Sequence, residues 1–131
     1  MPFLTLEYSD NIIEKTQIAE LFQQLHARFG EDLKIPLTGF FSSAVMHQHY
    51  CAGGDNKNSA FVHLTFKLMK GRAPEILQQI AQTLLENLKN HFAESAKKFQ
   101  LRLTVEVVEL HRTPIKEGYS LSTQLPLSLV A

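Results

Sequence analysis

Residues 2–8 read PFLTLEY, and residues 60–64 read AFVHL, a second version of the same short pattern. In both segments apolar side chains alternate with other residues, as they do on a strand with one buried face. The aligned pairs are Phe3 with Phe61, Leu4 with Val62, and Leu6 with Leu64. This match predicts an internal duplication in which each copy begins with a strand.

The first copy continues with the pattern of an amphipathic helix. Ser9, Asp10 and Asn11 carry oxygens that favour a helix N-cap. Apolar residues then recur at helical spacing until Gly30, a residue type that is common at helix ends. These apolar residues are Ile18, Leu21, Phe22, Leu25 and Phe29. A second extended stretch, residues 37–50, completes a first β-α-β unit.

The second copy follows the same order. Residues 61–68 alternate as a strand, and the chain then turns at Lys70 and Gly71. A helix is expected from Pro74, because a proline in the first turn loses little by lacking an amide proton. Its buried face is predicted to contain Ile76, Leu77, Ile80, Leu84, Leu88 and Phe92. Residues 101–110 alternate again and predict the closing strand.

Two such units predict an α+β fold, with a four-stranded mixed sheet and two helices on one face. The predicted single domain covers residues 1–131, with repeats at about 2–51 and 60–110. The Gly- and Asn-rich loop 52–59 joins the repeats, and residues 111–131 are expected to form a C-terminal arm. The second face of the sheet would be uncovered, so we expect subunits to pack against each other there.

Composition excludes several classes of function. With 131 residues and 44% hydrophobic content, the chain can bury the core of one domain. The 13 Lys and Arg residues balance 13 Asp and Glu residues, so no net charge attracts nucleic acid or an anionic membrane. No segment approaches the roughly 20 apolar residues that cross a bilayer. Cys51 is the single cysteine, which agrees with a reducing compartment, and we expect a cytoplasmic protein.

Pro2 directly follows Met1, at the head of the first strand. Removal of Met1 would leave a secondary amine, and an α-amino group titrates near roughly 8. Burial beside a cation lowers such a pKa, which suits a general base at neutral pH. Ala60 holds the corresponding place in the second copy but is internal, so one catalytic centre per chain is expected. The alternative is that proline is simply a common second residue and that Pro2 has no catalytic role.

Several short motifs occur in a fixed order along the chain. They are Pro2, EYSDNI at 7–12, PLTG at 36–39, AFVH at 60–63, Gly71-Arg72, and ELH at 109–111. Together they resemble the tautomerase superfamily and, within it, the 5-carboxymethyl-2-hydroxymuconate isomerase family. The resemblance implies a homotrimer with active sites near subunit boundaries, Pro2 as catalytic base, and no cofactor. It also implies an unsaturated carboxylic acid as the small-molecule substrate.

Arg72 is the expected anion contact, because its planar fork can hold a carboxylate with two hydrogen bonds. The alternative is a surface arginine at a helix start. The family pattern places arginines where this chain has Phe41 and Ser43, which makes these two residues candidate substrate contacts that lack the cation. Arginines from a neighbouring subunit could replace them, or the activity could have changed.

Other residues with reactive side chains carry weaker hypotheses. His47, His49 and Cys51 alternate and would share one face of a strand, but a structural zinc site needs a fourth ligand, so no metal is expected. His63 is interpreted as a hydrogen-bonded histidine of the sheet rather than a catalytic one.

The leading hypothesis is a trimeric tautomerase of aromatic catabolism that acts on a 2-hydroxymuconate-type acid. One alternative is a diverged trimer with a binding role, which the residues Phe41 and Ser43 favour. Another alternative keeps Pro2 as the base but acts on a less charged keto acid, such as a phenylenolpyruvate-like compound.

Overall fold

The structure is a computed structural model, and it describes residues 2–54, 58–111, 116 and 118. The strands and α-helices in chain order are β1 (Phe3–Ser9), α1 (Ile18–Asp32), β2 (Phe41–His47), β3 (Ser59–Met69), α2 (Pro74–His91), α3 (Ala93–Lys98) and β4 (Gln100–Leu110). The sheet order is β2-β1-β3-β4, with β1 antiparallel to β3 and each outer strand parallel to its neighbour. The α+β fold with a four-stranded mixed sheet is therefore confirmed.

Two parts of the sequence interpretation stay predictions. The C-terminal arm over 111–131 lies outside the described residues, apart from residues 111, 116 and 118. The assignment of the whole chain to one domain is likewise untested. In the portion that the structure describes, no helix has both the length and the apolar character needed to span a membrane.

The central strand pair reflects the sequence duplication. β1 and β3 run antiparallel, and their register places Leu6 opposite Leu64. These two residues are also equivalent in the repeat that aligns Phe3 with Phe61. An approximate twofold axis therefore passes between them and relates the β1-α1-β2 unit to the β3-α2-β4 unit.

The core lies between the helices and one face of the sheet. Alternate residues of β1 and β3 pack against α1 and α2 because successive side chains of a strand point to opposite faces. The buried members from these four elements are Leu4, Leu6, Tyr8, Ile18, Leu21, Leu25, Phe29, Ala60, Val62, Leu64, Phe66, Leu68, Ile80, Leu84 and Leu88. The predicted face of α2 is confirmed except at Ile76, which is 38% exposed.

The start of α1 differs from the prediction. The helix begins at Ile18 after a 3₁₀ turn at Ile13–Gln17, and its first turn has no side-chain cap. Ser9 Oγ instead accepts a hydrogen bond from the Phe61 amide at 3.0 Å. Asn11 Nδ2 donates to the Ser59 carbonyl at 2.9 Å. These polar groups therefore join β1 to the start of β3 and do not cap the helix.

The end of α1 also differs, since Gly30 does not stop the helix. The helix continues to Asp32, and Lys34 takes the left-handed conformation at φ +57°. The Ile35 amide then donates to the Gly30 carbonyl at 3.0 Å, which is the bond of a Schellman motif. A Cβ on Gly30 would lie 3.0 Å from Leu37 Cδ2, the end of an exposed side chain, and Gly30 is an interior residue of the helix and not its end.

Two shorter elements depart from the sequence prediction. The extended stretch expected over 37–50 contains a 3₁₀ turn at Leu37–Gly39 and then β2, which ends at His47. The short helix α3 was not predicted. Its first residues are held by the buried Glu14 carboxylate, which accepts hydrogen bonds from the amides of Glu94 and Ser95 and from Ser95 Oγ.

Candidate active site

Pro2 is buried at the point where the chain enters the sheet. Its carbonyl accepts a hydrogen bond from the Phe41 amide at 3.2 Å, which extends the pairing of β1 with β2. Chain ends usually fray unless they are tied down in this way. The residue that would carry the amine therefore has a fixed position.

Pro2 lines a cavity of about 340 Å³, a volume at the small end of those found for ligand sites. The residues that line it are Pro2, Ile35, Leu68, Met69, Lys70, Gly71 and Arg72. Two of these residues are cationic and none is acidic. The structure thus brings together Pro2 and Arg72, which the sequence proposed as base and anion contact.

A turn between β3 and α2 presents the cations. The Lys70 amide donates to the Leu110 carbonyl at 2.9 Å, which ties the turn to the end of β4. Gly71 has φ +138°, a conformation that other residues rarely adopt. Arg72 Nη1 donates to the Met69 carbonyl at 3.4 Å, so the arginine folds back over the turn. Pro74 then starts α2, as predicted.

Phe41 and Ser43 do not line this cavity. Their register on β2, opposite Phe3 and Thr5 of β1, places them on the sheet face away from the helices. The Phe41 ring is 58% exposed and stacks on Phe3 with 6.2 Å between ring centroids. Within one chain, the side chains of Phe41 and Ser43 therefore point away from the cavity of Pro2 and Arg72, although the Phe41 amide bonds to the Pro2 carbonyl. Their contact with substrate stays a prediction.

The sheet face away from the helices is the open face, which was expected to pack against other subunits. It also carries polar contacts between side chains. His47 Nε2 lies 3.0 Å from Glu7 Oε1, and His63 Nε2 lies 3.7 Å from Glu106 Oε1. His63 Nδ1 also hydrogen-bonds the Thr104 hydroxyl, which confirms its interpretation as a histidine of the sheet. The open face therefore combines exposed apolar side chains with contacts between histidine and glutamate side chains.

The three possible metal ligands do not share a strand. β2 ends at His47, and both His49 and Cys51 lie beyond it. The Cys51 thiol donates to the Gly53 carbonyl at 3.0 Å. Over the described residues, no group of three His, Cys, Asp or Glu side chains is arranged to hold a metal ion.

A second and larger cavity, of about 860 Å³, lies at the start of β3. Ala60 lines it, together with Phe61 and His63 of the same strand and Arg102 of β4. Ala60 is the counterpart of Pro2, but its nitrogen belongs to an internal amide and has no useful basicity. This cavity therefore lacks the group on which proton transfer would depend.

Two titratable side chains outside these cavities have perturbed pKa values. Burial lowers the pKa of His26, which stacks on Phe40. Burial also lowers the pKa of His91, although the nearby Glu14 and Glu20 carboxylates act in the opposite direction. In the described part of the chain, the buried Nε2 of His91 has no hydrogen-bond partner.

The sequence interpretation gave Lys70 no functional role. It was noted only as part of a turn, although it stands one residue from Gly71 and two from Arg72. Two cations on either side of a glycine, directly after a buried strand, would have been a usable signal. The cavity shows that both belong to the same site.

Comparison with known proteins agrees with this architecture. Residues 2–119 match the model of the family described as 5-carboxymethyl-2-hydroxymuconate isomerase. The chain is 33% identical over 113 residues to 5-carboxymethyl-2-hydroxymuconate Delta-isomerase of Escherichia coli, covering 86% of this chain and 90% of that protein. A crystal structure of such an isomerase from Deinococcus radiodurans R1 superposes with a TM-score of 0.80 at 30% identity, covering 91% and 90% of the two chains. A fused 4-OT described as a symmetric trimer has the same fold, with a TM-score of 0.66 at 15% identity, covering 92% and 94%.

Proposed function

The chain belongs to the 5-carboxymethyl-2-hydroxymuconate isomerase family and is an enzyme of the tautomerase type; we propose that it moves a proton in a 2-hydroxymuconate-type unsaturated acid. The Pro2 amine is the general base in this proposal, and Arg72 holds the anion. The observation that carries it is the cavity that these two residues share.

The proposed reaction needs a base and a nearby cation. The neutral Pro2 amine takes the proton of the substrate's enol hydroxyl and returns a proton to carbon. Burial and adjacent cations both favour the neutral amine over the charged one, so it would be ready to act near neutral pH. Arg72 can bind a carboxylate through two hydrogen bonds and stabilise negative charge as it develops on the enol oxygen.

The proposal also covers the oligomeric state of the protein and its location in the cell. A homotrimer is supported by the exposed apolar residues of the open face, Phe3, Phe41 and Val45. The fused 4-OT with the same fold is described as a symmetric trimer. A cytoplasmic location agrees with the single cysteine, and the name of the Escherichia coli relative supports a hydroxymuconate as the substrate.

A second candidate function keeps the same base but takes a less charged keto acid. Phe41 and Ser43 stand where the family pattern has arginines, and the exposed Phe41 ring could contact a phenyl group. A third possibility is a trimer with a binding role and no turnover. Both alternatives predict a low rate with tricarboxylate substrates.

The test uses protein expressed without an amino-terminal tag, with its intact mass measured first. Protein that has lost Met1 is assayed with 5-carboxymethyl-2-hydroxymuconate and, in parallel, with phenylenolpyruvate. The matched control is the same chain with an uncleaved extension, in which the Pro2 nitrogen is an amide. We expect turnover of the hydroxymuconate by processed protein only.

Three other results of this assay would contradict the proposal. Equal turnover by the extended chain would overturn the role of Pro2. Faster turnover of phenylenolpyruvate would favour the keto-acid alternative. No turnover of either compound by processed protein would favour the binding role.

A further inference from the structure

The residues on either side of Gly71 form a pair of cations that faces one cavity. Lys70 and Arg72 both line the cavity of Pro2. Consecutive Cα atoms are about 3.8 Å apart, so the Cα atoms of these two residues are separated by at most about 7.6 Å. Their heads can therefore meet two anionic groups joined by a short carbon chain.

The backbone holds the Cα atoms of both residues in place. The Lys70 amide is bonded to the Leu110 carbonyl, and Gly71 holds a conformation that few other residues could take. Arg72 is bonded through Nη1 to the Met69 carbonyl. The arrangement thus depends on the end of β4 and on one glycine, and not on a flexible loop.

Among the residues that the structure describes, this pair of cations has no acidic partner. In the described residues, no carboxylate lies within ion-pair distance of Lys70 or Arg72, whereas Arg28 and Lys97 pair with Asp32 and Glu94. The chain as a whole has equal numbers of cationic and acidic residues. The excess positive charge at this cavity is therefore local, as expected for a site that binds an anion with more than one negative charge.

We infer that Lys70 is a specificity-determining residue that binds a second carboxylate of the acid whose first carboxylate Arg72 holds. The inference rests on the proposed function and deepens it. It assigns to Lys70 a cationic contact that Phe41 and Ser43 do not provide in this chain. It also favours the hydroxymuconate over the monocarboxylate alternative.

The experiment compares Lys70→Met, Lys70→Arg and wild type on 5-carboxymethyl-2-hydroxymuconate and on phenylenolpyruvate. Lys89→Met is the matched control, because Lys89 is an exposed lysine near the end of α2 and away from the cavity. We expect Lys70→Met to raise KM for the tricarboxylate about tenfold, with little change in kcat. Lys70→Arg should restore most of the loss, and KM for the monocarboxylate should change little.

The dependence of KM on salt concentration is a second readout. It should not change if Lys70 has only a structural role. The KM of wild type for the tricarboxylate should rise with ionic strength more steeply than that of Lys70→Met, because salt screens an exposed ion pair. Equal effects of Lys70→Met on both substrates, or no effect on either, would overturn the inference.

A binding measurement separates failure of this inference from failure of the proposed function. If processed wild type turns over neither substrate, calorimetric titration with glutarate and with pentanoate replaces the assay. Weaker binding of glutarate but not of pentanoate by Lys70→Met would then support the second carboxylate site without turnover. Equal binding of glutarate by wild type and Lys70→Met would overturn it.

Discussion

The ends at which the two duplicated strands begin share a backbone plan but differ in chemistry. At the start of β1, Pro2 lines a cavity together with Lys70 and Arg72. At the start of β3, Ala60 lines a larger cavity, but its nitrogen is an internal amide. The contrast teaches that copying a fold does not copy its reactive group, since only the first copy can expose an amine when Met1 is removed.

The segments that follow the two inner strands differ in the same way. At the spacing that aligns Phe3 with Phe61, Arg72 corresponds to Glu14. Arg72 lines the cavity of Pro2, whereas Glu14 is 5% exposed and binds the start of α3. One copy thus uses this position at the proposed site, and the other uses it to hold secondary structure.

The largest expected effect is on kcat, and it should follow substitution of Pro2 at the start of β1 but not of Ala60 at the start of β3. Pro2→Ala removes the ring that fixes the nitrogen, and we expect kcat on the hydroxymuconate to fall by about 100-fold. Ala60→Gly changes the equivalent position, where no amine exists, and should leave the rate near that of wild type. Steady-state kinetics on processed protein measure both. A Pro2→Ala variant with full activity would show that the two ends do not differ as proposed.

An intermediate effect is expected at Glu14, and on stability instead of rate. Its carboxylate accepts hydrogen bonds from two amides and a hydroxyl at the start of α3, so Glu14→Gln should lower the free energy of unfolding by about 1–3 kcal/mol. Glu75→Gln, at an exposed position in the first turn of α2, should change it by less than about 0.5 kcal/mol. Urea unfolding measures both variants. If both variants lower the free energy of unfolding by the same amount, the buried contacts of Glu14 contribute nothing measurable to stability.

The smallest expected effect is a pH dependence of stability, caused by His26 of α1 and His91 of α2. Burial lowers the folded-state pKa of His26 and His91 below 6.5, so the unfolded chain binds protons more readily than the folded chain. Their contribution to stability is therefore complete above pH 6.5 and is lost as the pH falls towards the folded values. We expect a loss below about 1 kcal/mol, because both side chains are only partly buried and solvent screens them.

The measurement is urea unfolding at pH 7.5 and at pH 5.5. His91→Leu should reduce the difference between the two pH values, whereas His49→Asn, at an exposed position, should leave it unchanged. An unaltered difference in His91→Leu would show that His91 does not contribute to the pH dependence.

Much of the fold was predictable because its strands and helices have regular patterns. The alternation that begins at Pro2 and at Ala60 predicted β1 and β3, and Pro74 marked the start of α2. The limits of α1 were not predictable from residue type. Ser9 and Asn11 bond to distant parts of the chain, and Lys34, instead of Gly30, takes the left-handed conformation at the helix end. Such long-range contacts leave no local pattern.

The candidate site was predictable only in part. Pro2 and Arg72 were singled out for their chemistry, and the structure places both at one cavity. Lys70 was missed because a single lysine in a turn resembles any solvated charge, although its position across Gly71 from Arg72 was a usable signal. The Phe41 amide bonds to the Pro2 carbonyl, yet strand alternation turns the side chains of Phe41 and Ser43 to the open face.

The pairing of Leu6 with Leu64 has an evolutionary consequence. Antiparallel strands that meet at equivalent residues make a contact that two identical molecules can also make, across a twofold axis. A half-length ancestor could therefore have formed the same sheet as a dimer. Fusion of its two copies converts an encounter between molecules into a contact at high effective concentration. Fusion also turns the terminal amine of the second copy into an amide, so that copy no longer needs a proline at the position of Ala60.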